Sequence, residues 1–204
     1  MKPVSDYEFE ALLKDADPAL ASAGPSVFIA GVSGGADSMA LCLLLERWCR
    51  AHGHRLVAVT VDHALRGDSA AEARRVSGWL AARGIEHEIL TWRGAKPTAG
   101  LQAAARSARF ALLTDYALSL GAEALFLAHH MQDQAETMAM RLARGSGPDG
   151  LAGIRPRQMR GGIPVLRPLL GLPPLRLRAH CLAEGQVWVE DPSNRDRRFE
   201  RVRV

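Results

Sequence analysis

Val27-Phe28-Ile29-Ala30-Gly31-Val32-Ser33-Gly34-Gly35-Ala36-Asp37-Ser38 is an apolar run that breaks at Ser-Gly-Gly and passes at once into a helical pattern, Ser38-Met39-Ala40-Leu41-Cys42-Leu43-Leu44-Leu45. The stretch reads as strand, tight glycine turn and helix N-terminus. That geometry aims unpaired backbone N–H groups, and the positive end of a helix dipole, at an anion. No lysine follows the glycines, so this is not the lysine-bearing loop that grips a β,γ-phosphate pair. Asp37 stands where phosphates would dock, and a bare carboxylate there would repel them. A divalent cation such as Mg²⁺, shared between Asp37 and the phosphates, removes that conflict. The plainer alternative is a glycine turn in which Asp37 or Ser38 caps the helix.

Working outward, a short amphipathic helix over 5–15 leads into the strand at 27–32, and the helix after the turn runs from about 37 to 52, stopping near Gly53. Arg55 to Val61 is a second buried strand, followed by a helix over 69–83 and a third strand over 86–92. Gly100 to Leu120 is an alanine-rich helix closed by Gly121, Ala124 to Ala128 a fourth strand, and 132–143 its helix. After Gly145 the texture turns to Gly, Pro and Arg, with a strand or hairpin near 162–167 and a helix near 173–184. Alternating apolar strands and helices predict an α/β fold: a doubly wound, mainly parallel sheet with helices on both faces. Ligands of such a sheet sit at the carboxyl ends of the strands, where the strand order reverses. The residues after strands one, two and four are therefore the ones to inspect.

After strand two comes Asp62-His63-Ala64-Leu65-Arg66-Gly67, a turn that flanks a nucleoside in this architecture or is simply an Asx-type turn with solvated His and Arg. After strand four comes His129-His130-Met131-Gln132-Asp133-Gln134-Ala135-Glu136. Asp133 with Glu136 three residues on fits an acidic helix N-cap, which leaves the two histidines unexplained. Adjacent histidines on an extended chain point to opposite sides, which disfavours a shared zinc. Arg106 and Arg109 share one face of the long helix, in an otherwise apolar segment, and are expected to meet an anion. Arg144-Gly145-Ser146-Gly147 opens a glycine-rich loop that is either a connector or a substrate loop.

Composition sets the class. With 204 residues, 48% hydrophobic and 24% charged, the chain is long enough for one α/β domain with a real core. The run Met39–Leu45 is far too short to span a bilayer, and the acidic N-terminus lacks a signal-peptide core, so a cytoplasmic protein without membrane contact is expected. Cys42, Cys49 and Cys181 form no CxxC pair, and the seven-residue spacing puts Cys42 and Cys49 on one buried helix stripe. Residues 1–140 carry 13 Lys and Arg against 16 Asp and Glu, whereas residues 141–204 carry 13 against 6. A basic tail on a near-neutral domain points to a polyanionic partner, with nucleic acid foremost.

The loop SGGADS resembles the pyrophosphate loop of the N-type ATP pyrophosphatases, which cleave ATP between the α- and β-phosphates and adenylate an oxygen. In order, SGGADS, DHALR, GLQAAARSARF, AHHMQDQAET, RGSGPDGLAG, RPLL and EDPSNRD resemble the tRNA(Ile)-lysidine synthetases along residues 27–204. One departure is Gln132, where many members have a first acid before Asp133.

The resemblance implies an adenine nucleotide alpha hydrolase-like fold and an ATP-dependent carbon–nitrogen ligase. Its partners would be free L-lysine and an isoleucine tRNA with a CAU anticodon, and its product lysidine, AMP and pyrophosphate. It assigns Ser33, Gly34, Gly35, Ala36, Asp37 and Ser38 to the pyrophosphate, with Asp62, His63 and Arg106 completing the nucleotide site. Arg109, with Arg106 as second choice, neutralises charge at the α-phosphate, and Asp37 binds Mg²⁺ with or without Asp133. Asp133 otherwise positions and deprotonates the lysine amine, assisted by His130 or His129. His129, Arg144, Gly145, Ser146 and Gly147 contact substrate, and Arg155, Arg157 and Arg160 grip RNA phosphates. Domain organisation is expected as a lead-in over 1–26, a nucleotide-binding core over 27–145 and a basic extension over 146–204. The further C-terminal tRNA-binding domains usual in members are expected to lie outside this chain, and an oligomer is left open. Asp191 to Asp196 and the Arg201/Arg203 tail lie in matching segments without an assigned role. The competing readings are a tRNA thiolase on the same fold and a non-catalytic ATP- or RNA-binding module.

Overall fold

The computed structural model describes residues 1–22, 24–143, 145 and 153–190. Among these, strands β1 (Val27–Gly31), β2 (Arg55–Asp62), β3 (Glu86–Thr91), β4 (Ala124–Phe126), β5 (Arg157–Arg160) and β6 (Ile163–Leu166) form one sheet in the order β3-β2-β1-β4-β6-β5. Every pairing is parallel except the β5–β6 hairpin. The helices are α1 (Asp6–Ala16), α2 (Ala36–His52), α3 (Ser69–Ala81), α4 (Leu101–Ser119), α5 (Met131–Ala143) and α6 (Pro174–Ala183).

β1 lies at the centre and is buried on both faces, which is why its sequence is continuously apolar rather than alternating. Phe28 and Ala30 face a core filled by α1, α2, α3 and α6, through residues such as Phe9, Leu41, Leu80 and Leu177. Ile29 faces the opposite layer, where α4 packs Phe110, Leu113 and Ala117 against Val57, Leu125 and Val165. Helices thus cover both faces, as the α/β pattern predicts. Gly53 and Gly121 close α2 and α4 with positive φ, +73° and +61°. Cys42, Cys49 and Cys181 are free and buried, and burial pushes all three thiols up to about 12. Among the described residues no helix is long and apolar enough to cross a membrane.

Strand order reverses between β1 and β4. β1 feeds the glycine turn, and β4 feeds His129-His130 beside it. Arg167 directly follows β6, whose Leu166 is paired with Phe126 of β4, so it emerges at the same edge. This edge is the crevice in which a doubly wound sheet binds ligands.

Candidate active site

The glycine loop is held from three directions. Val32 N–H bonds to Val59 C=O at 2.8 Å, and Thr60 Oγ1 donates to Val32 C=O at 2.8 Å, fixing the strand exit. Gly34 adopts φ +87°, the left-handed region that glycine enters without a Cβ penalty. A Cβ there would lie 2.7 Å from Val76 Cγ2 and 3.3 Å from Val189 Cγ2, so space excludes a side chain as well. Val189, arriving beyond α6, also donates its N–H to Gly34 C=O at 2.8 Å. Gly35 is the N-cap of α2 and Met39 N–H makes the first helical bond back to it, so the amides between keep no partner inside the helix.

Neither Asp37 nor Ser38 caps the helix, which sets aside the plainer alternative. Ser38 Oγ instead donates to Gly35 C=O at 3.0 Å and accepts Ser33 N–H at 3.1 Å, with Ser33 Oγ 3.2 Å away. The two serines lock the loop across its mouth.

His130 brings two expected site residues together. Its Nε2 lies 3.4 Å from Asp37 Oδ2 and its Nδ1 3.4 Å from Asp133 Oδ2. Burial opposes charge on this imidazole, but the Asp37 contact and the Asp133 and Asp37 carboxylates outweigh burial together and raise its pKa. Asp133 is not the N-cap its sequence pattern predicts. Helix α5 starts at Met131, so Asp133 stands on the third helical residue and reaches back to accept His130 N–H at 2.9 Å. That is the return half of a capping box. The carboxylate thus stays at the helix entrance and meets the glycine loop only through His130, which lies between it and Asp37. Asp37 Oδ1 is buried with no hydrogen-bond partner.

The turn after β2 is an Asx turn: Asp62 Oδ1 accepts Ala64 N–H at 2.8 Å, and Ala64 takes φ +50°. His63 is half-buried rather than fully solvated. It meets Trp92 edge to face at 6.2 Å between centroids, and burial, then Arg109, lowers its pKa. Lys96 Nζ lies 3.9 Å over the other ring of that pair, Trp92. Nothing local in the sequence ties Trp92 to His63, which meet only through the parallel β2–β3 pairing.

Arg106 and Arg109 do share a face, and two further arginines join them. Arg160 sits 3.7 Å over the Phe110 ring, with Arg106 and Arg109 each 5.7 Å from it. Arg167 is 3% exposed, and burial, then Arg106 and Arg160, lowers its pKa to about 10. Burial and the same two neighbours also lower Arg109. His129 faces this cluster, and burial, then Arg167, Arg109 and Arg106, drives its pKa down to about 3. In the sequence Arg167 stands out only as the first residue of RPLL and carries no assigned role, although a basic residue directly after an apolar strand end was a usable signal. Arg157 points elsewhere and pairs with Asp17 at 2.7 Å.

Gly145 takes φ +69° and donates its N–H to Leu142 C=O at 3.0 Å, ending α5. Gln134 holds the returning chain through both polar atoms, bonding Ile154 C=O and Ile154 N–H. Arg144, Ser146, Gly147, the 191–196 segment, Arg201 and Arg203 lie outside the described residues.

The PP-loop domain family matches residues 1–204, the whole chain. A tRNA(Ile)-lysidine synthase of Ruegeria pomeroyi is 48% identical over 174 residues, covering 85% of this chain and 41% of the relative. One of Bradyrhizobium diazoefficiens is 45% identical over 204 residues, covering 99% of this chain and 55% of the relative. The chain thus spans about half the length of these curated relatives. Among solved structures, the U34-tRNA thiolase NcsA of Methanococcus maripaludis superposes with a TM-score of 0.72 at 16% identity, over 90% of this chain and 67% of its own. The NH3-dependent NAD synthetase of Campylobacter jejuni gives 0.53 at 16% identity, over 87% and 72%. At that identity these two likenesses speak for the fold alone.

Proposed function

The chain belongs to the PP-loop domain family, and we propose that it ligates free L-lysine to C2 of the wobble cytidine in an isoleucine tRNA with a CAU anticodon. The base's C2 oxygen attacks the α-phosphate of ATP and pyrophosphate leaves. The lysine ε-amine then displaces AMP at C2, giving lysidine. The observation that carries this reading is His130 held between Asp37 and Asp133 at the mouth of the glycine loop. The similarity to lysidine synthases supports the choice of substrate.

In this mechanism the loop amides from Gly34 to Ser38 bind the β,γ-phosphates, and the Ser33–Ser38 contacts keep them aimed. Mg²⁺, when bound, neutralises phosphate charge. Asp37 would hold it, with or without Asp133, since Asp37 Oδ1 is a buried acceptor with nothing to accept. Arg109 faces the charge developing at the α-phosphate, with Arg106 beside it. The Asp62–His63 turn lies against the nucleoside. A lysine amine has a pKa near ~10.4, so about one in 2,500 is the free nucleophile at neutral pH. Asp133 positions the ammonium and takes its proton, and His130 relays it. His129 stays neutral and can accept a hydrogen bond from substrate. A role for Arg144, Gly145, Ser146 and Gly147 in contacting substrate rests on the similarity to lysidine synthases.

A cytidine in a single-stranded loop leaves its stack at little cost, and exposed Arg155, with Arg160 beside Phe110, would hold adjacent phosphates. The thiolase reading is disfavoured by the cysteines: Cys42, Cys49 and Cys181 are core residues whose thiols are held near 12. The test is the fate of ATP. AMP and pyrophosphate formed only when both the tRNA and lysine are present support the reading, whereas ADP and phosphate, or nucleotide bound without turnover, overturn it.

A further inference from the structure

Arg106, Arg109, Arg160 and Arg167 converge from three separate elements, α4, β5 and the exit of β6. None of the four has a carboxylate partner among the described residues. Arg160 stacks on Phe110, and Arg167 spends one nitrogen on Arg155 C=O at 2.9 Å. The Nε atoms of Arg109 and Arg167 are buried without any hydrogen-bond partner. His129 adds no compensating charge, since it is neutral, and its Nδ1 is also unpartnered.

Arg167 is buried, Arg109 and Arg160 are part-buried and Arg106 is exposed; a buried guanidinium set among like charges with a donor unused is costly in a protein without ligand. It is tolerated where an anion completes it. A single phosphate oxyanion at Arg109 would balance one positive charge and leave the others facing each other. We propose that Arg167 and Arg160, with Arg106 at the solvent side, form a phosphate-oxyanion subsite separate from the glycine loop, with Arg167 as its buried anchor. The oxyanion comes either from the nucleotide's α-phosphate or from the RNA strand next to the reacting base. The inference rests on the phosphoryl-transfer reading above for the kind of anion, and on the unpaired arginines for its place.

Arg167→Met keeps side-chain volume and removes the charge. The 204-residue chain and its R167M and R160Q variants are titrated with α,β-methylene ATP and, separately, with a short RNA hairpin carrying a CAU loop. Arg55→Gln is the control, since Arg55 begins β2 at the opposite edge of the sheet and, among the described residues, forms its ion pair with Glu86. A loss of about tenfold or more in nucleotide affinity for R167M and R160Q, but not R55Q, supports the subsite and names the α-phosphate. The same loss confined to the RNA hairpin supports it and names the RNA strand. Unchanged affinity for both probes in both variants overturns the subsite while leaving the ligase reading intact, and a wild-type chain that binds neither probe overturns both. Thermal unfolding gives an independent readout. Without ligand, R167M is expected to melt no lower than wild type, because an unpaired buried charge is gone. A lower melting temperature with unchanged binding would make Arg167 a packing residue and refute the proposal.

Discussion

His129 and His130 are neighbours at the end of β4, yet they titrate in opposite directions. His129 falls to about 3 and His130 rises. The extended chain sends one ring to each side of the crevice, and the two sides carry opposite charge. On the loop side Asp37 and Asp133 bracket an imidazole, each with a carboxylate oxygen 3.4 Å from a ring nitrogen. On the α4 side Arg167, Arg109 and Arg106 act on a partly buried, neutral imidazole. The lesson is that this crevice is built as an acidic half and a basic half, with one dipeptide as the partition. Such a division suits a reaction that must bind phosphate and also strip a proton from an ammonium nucleophile.

The comparison can be broken on either side. On the acidic side, Asp133→Asn is expected to slow lysine transfer by about 10²–10⁴-fold with nucleotide affinity unchanged, as removal of a general base does. Single-turnover assays beside equilibrium binding would separate the two quantities. On the basic side, Arg109→Gln is expected to slow ATP cleavage by about 10²–10³-fold, because it removes a donor aimed at developing charge. Pyrophosphate release measures it.

The loop that joins the halves is sensitive to a smaller change. Gly34→Ala places a methyl 2.7 Å from Val76 at φ +87°, a strain of about 1–3 kcal/mol that should appear as weaker nucleotide binding and a lower melting temperature. Calorimetry and thermal unfolding would register both.

The smallest effect is the pH dependence of stability, and it sharpens the contrast. His129 binds a proton less readily folded than unfolded, so its contribution is present above its ordinary 6.5 and is lost as pH falls toward 3. His130 is raised, so its contribution is present below 6.5 and is lost as pH climbs through its folded value. His129→Gln should therefore flatten the decline in stability between pH 6.5 and 3, without abolishing it, because His63, His87 and His180 are also held low by burial. Urea unfolding across a pH series reads the slope.

Much of this was legible in the chain. The apolar run from Val27, the glycines after it and the alanine-rich helix closed by Gly121 are local signals, and local signals fixed the elements and their order. Asp37, Asp133 and the arginine pair on α4 could be singled out because polar residues at strand ends and on apolar helices need a reason. What could not be read is what depends on backbone register and long-range meeting. Asp133 looked like a cap because a capping pattern does not say which of its residues starts the helix. Val189 on Gly34 and Arg160 over Phe110 are contacts across distant segments, set by packing rather than by any spacing.

The most direct test of the central claim is incorporation of labelled lysine into isoleucine tRNA with a CAU anticodon, in ATP and Mg²⁺, by the wild-type chain and by Asp133→Asn. The account predicts label in the tRNA with wild type, and none above background with Asp133→Asn while that variant still binds α,β-methylene ATP. Label at the wild-type rate in Asp133→Asn would contradict it. So would a wild-type chain that binds both ATP and the tRNA yet transfers no lysine.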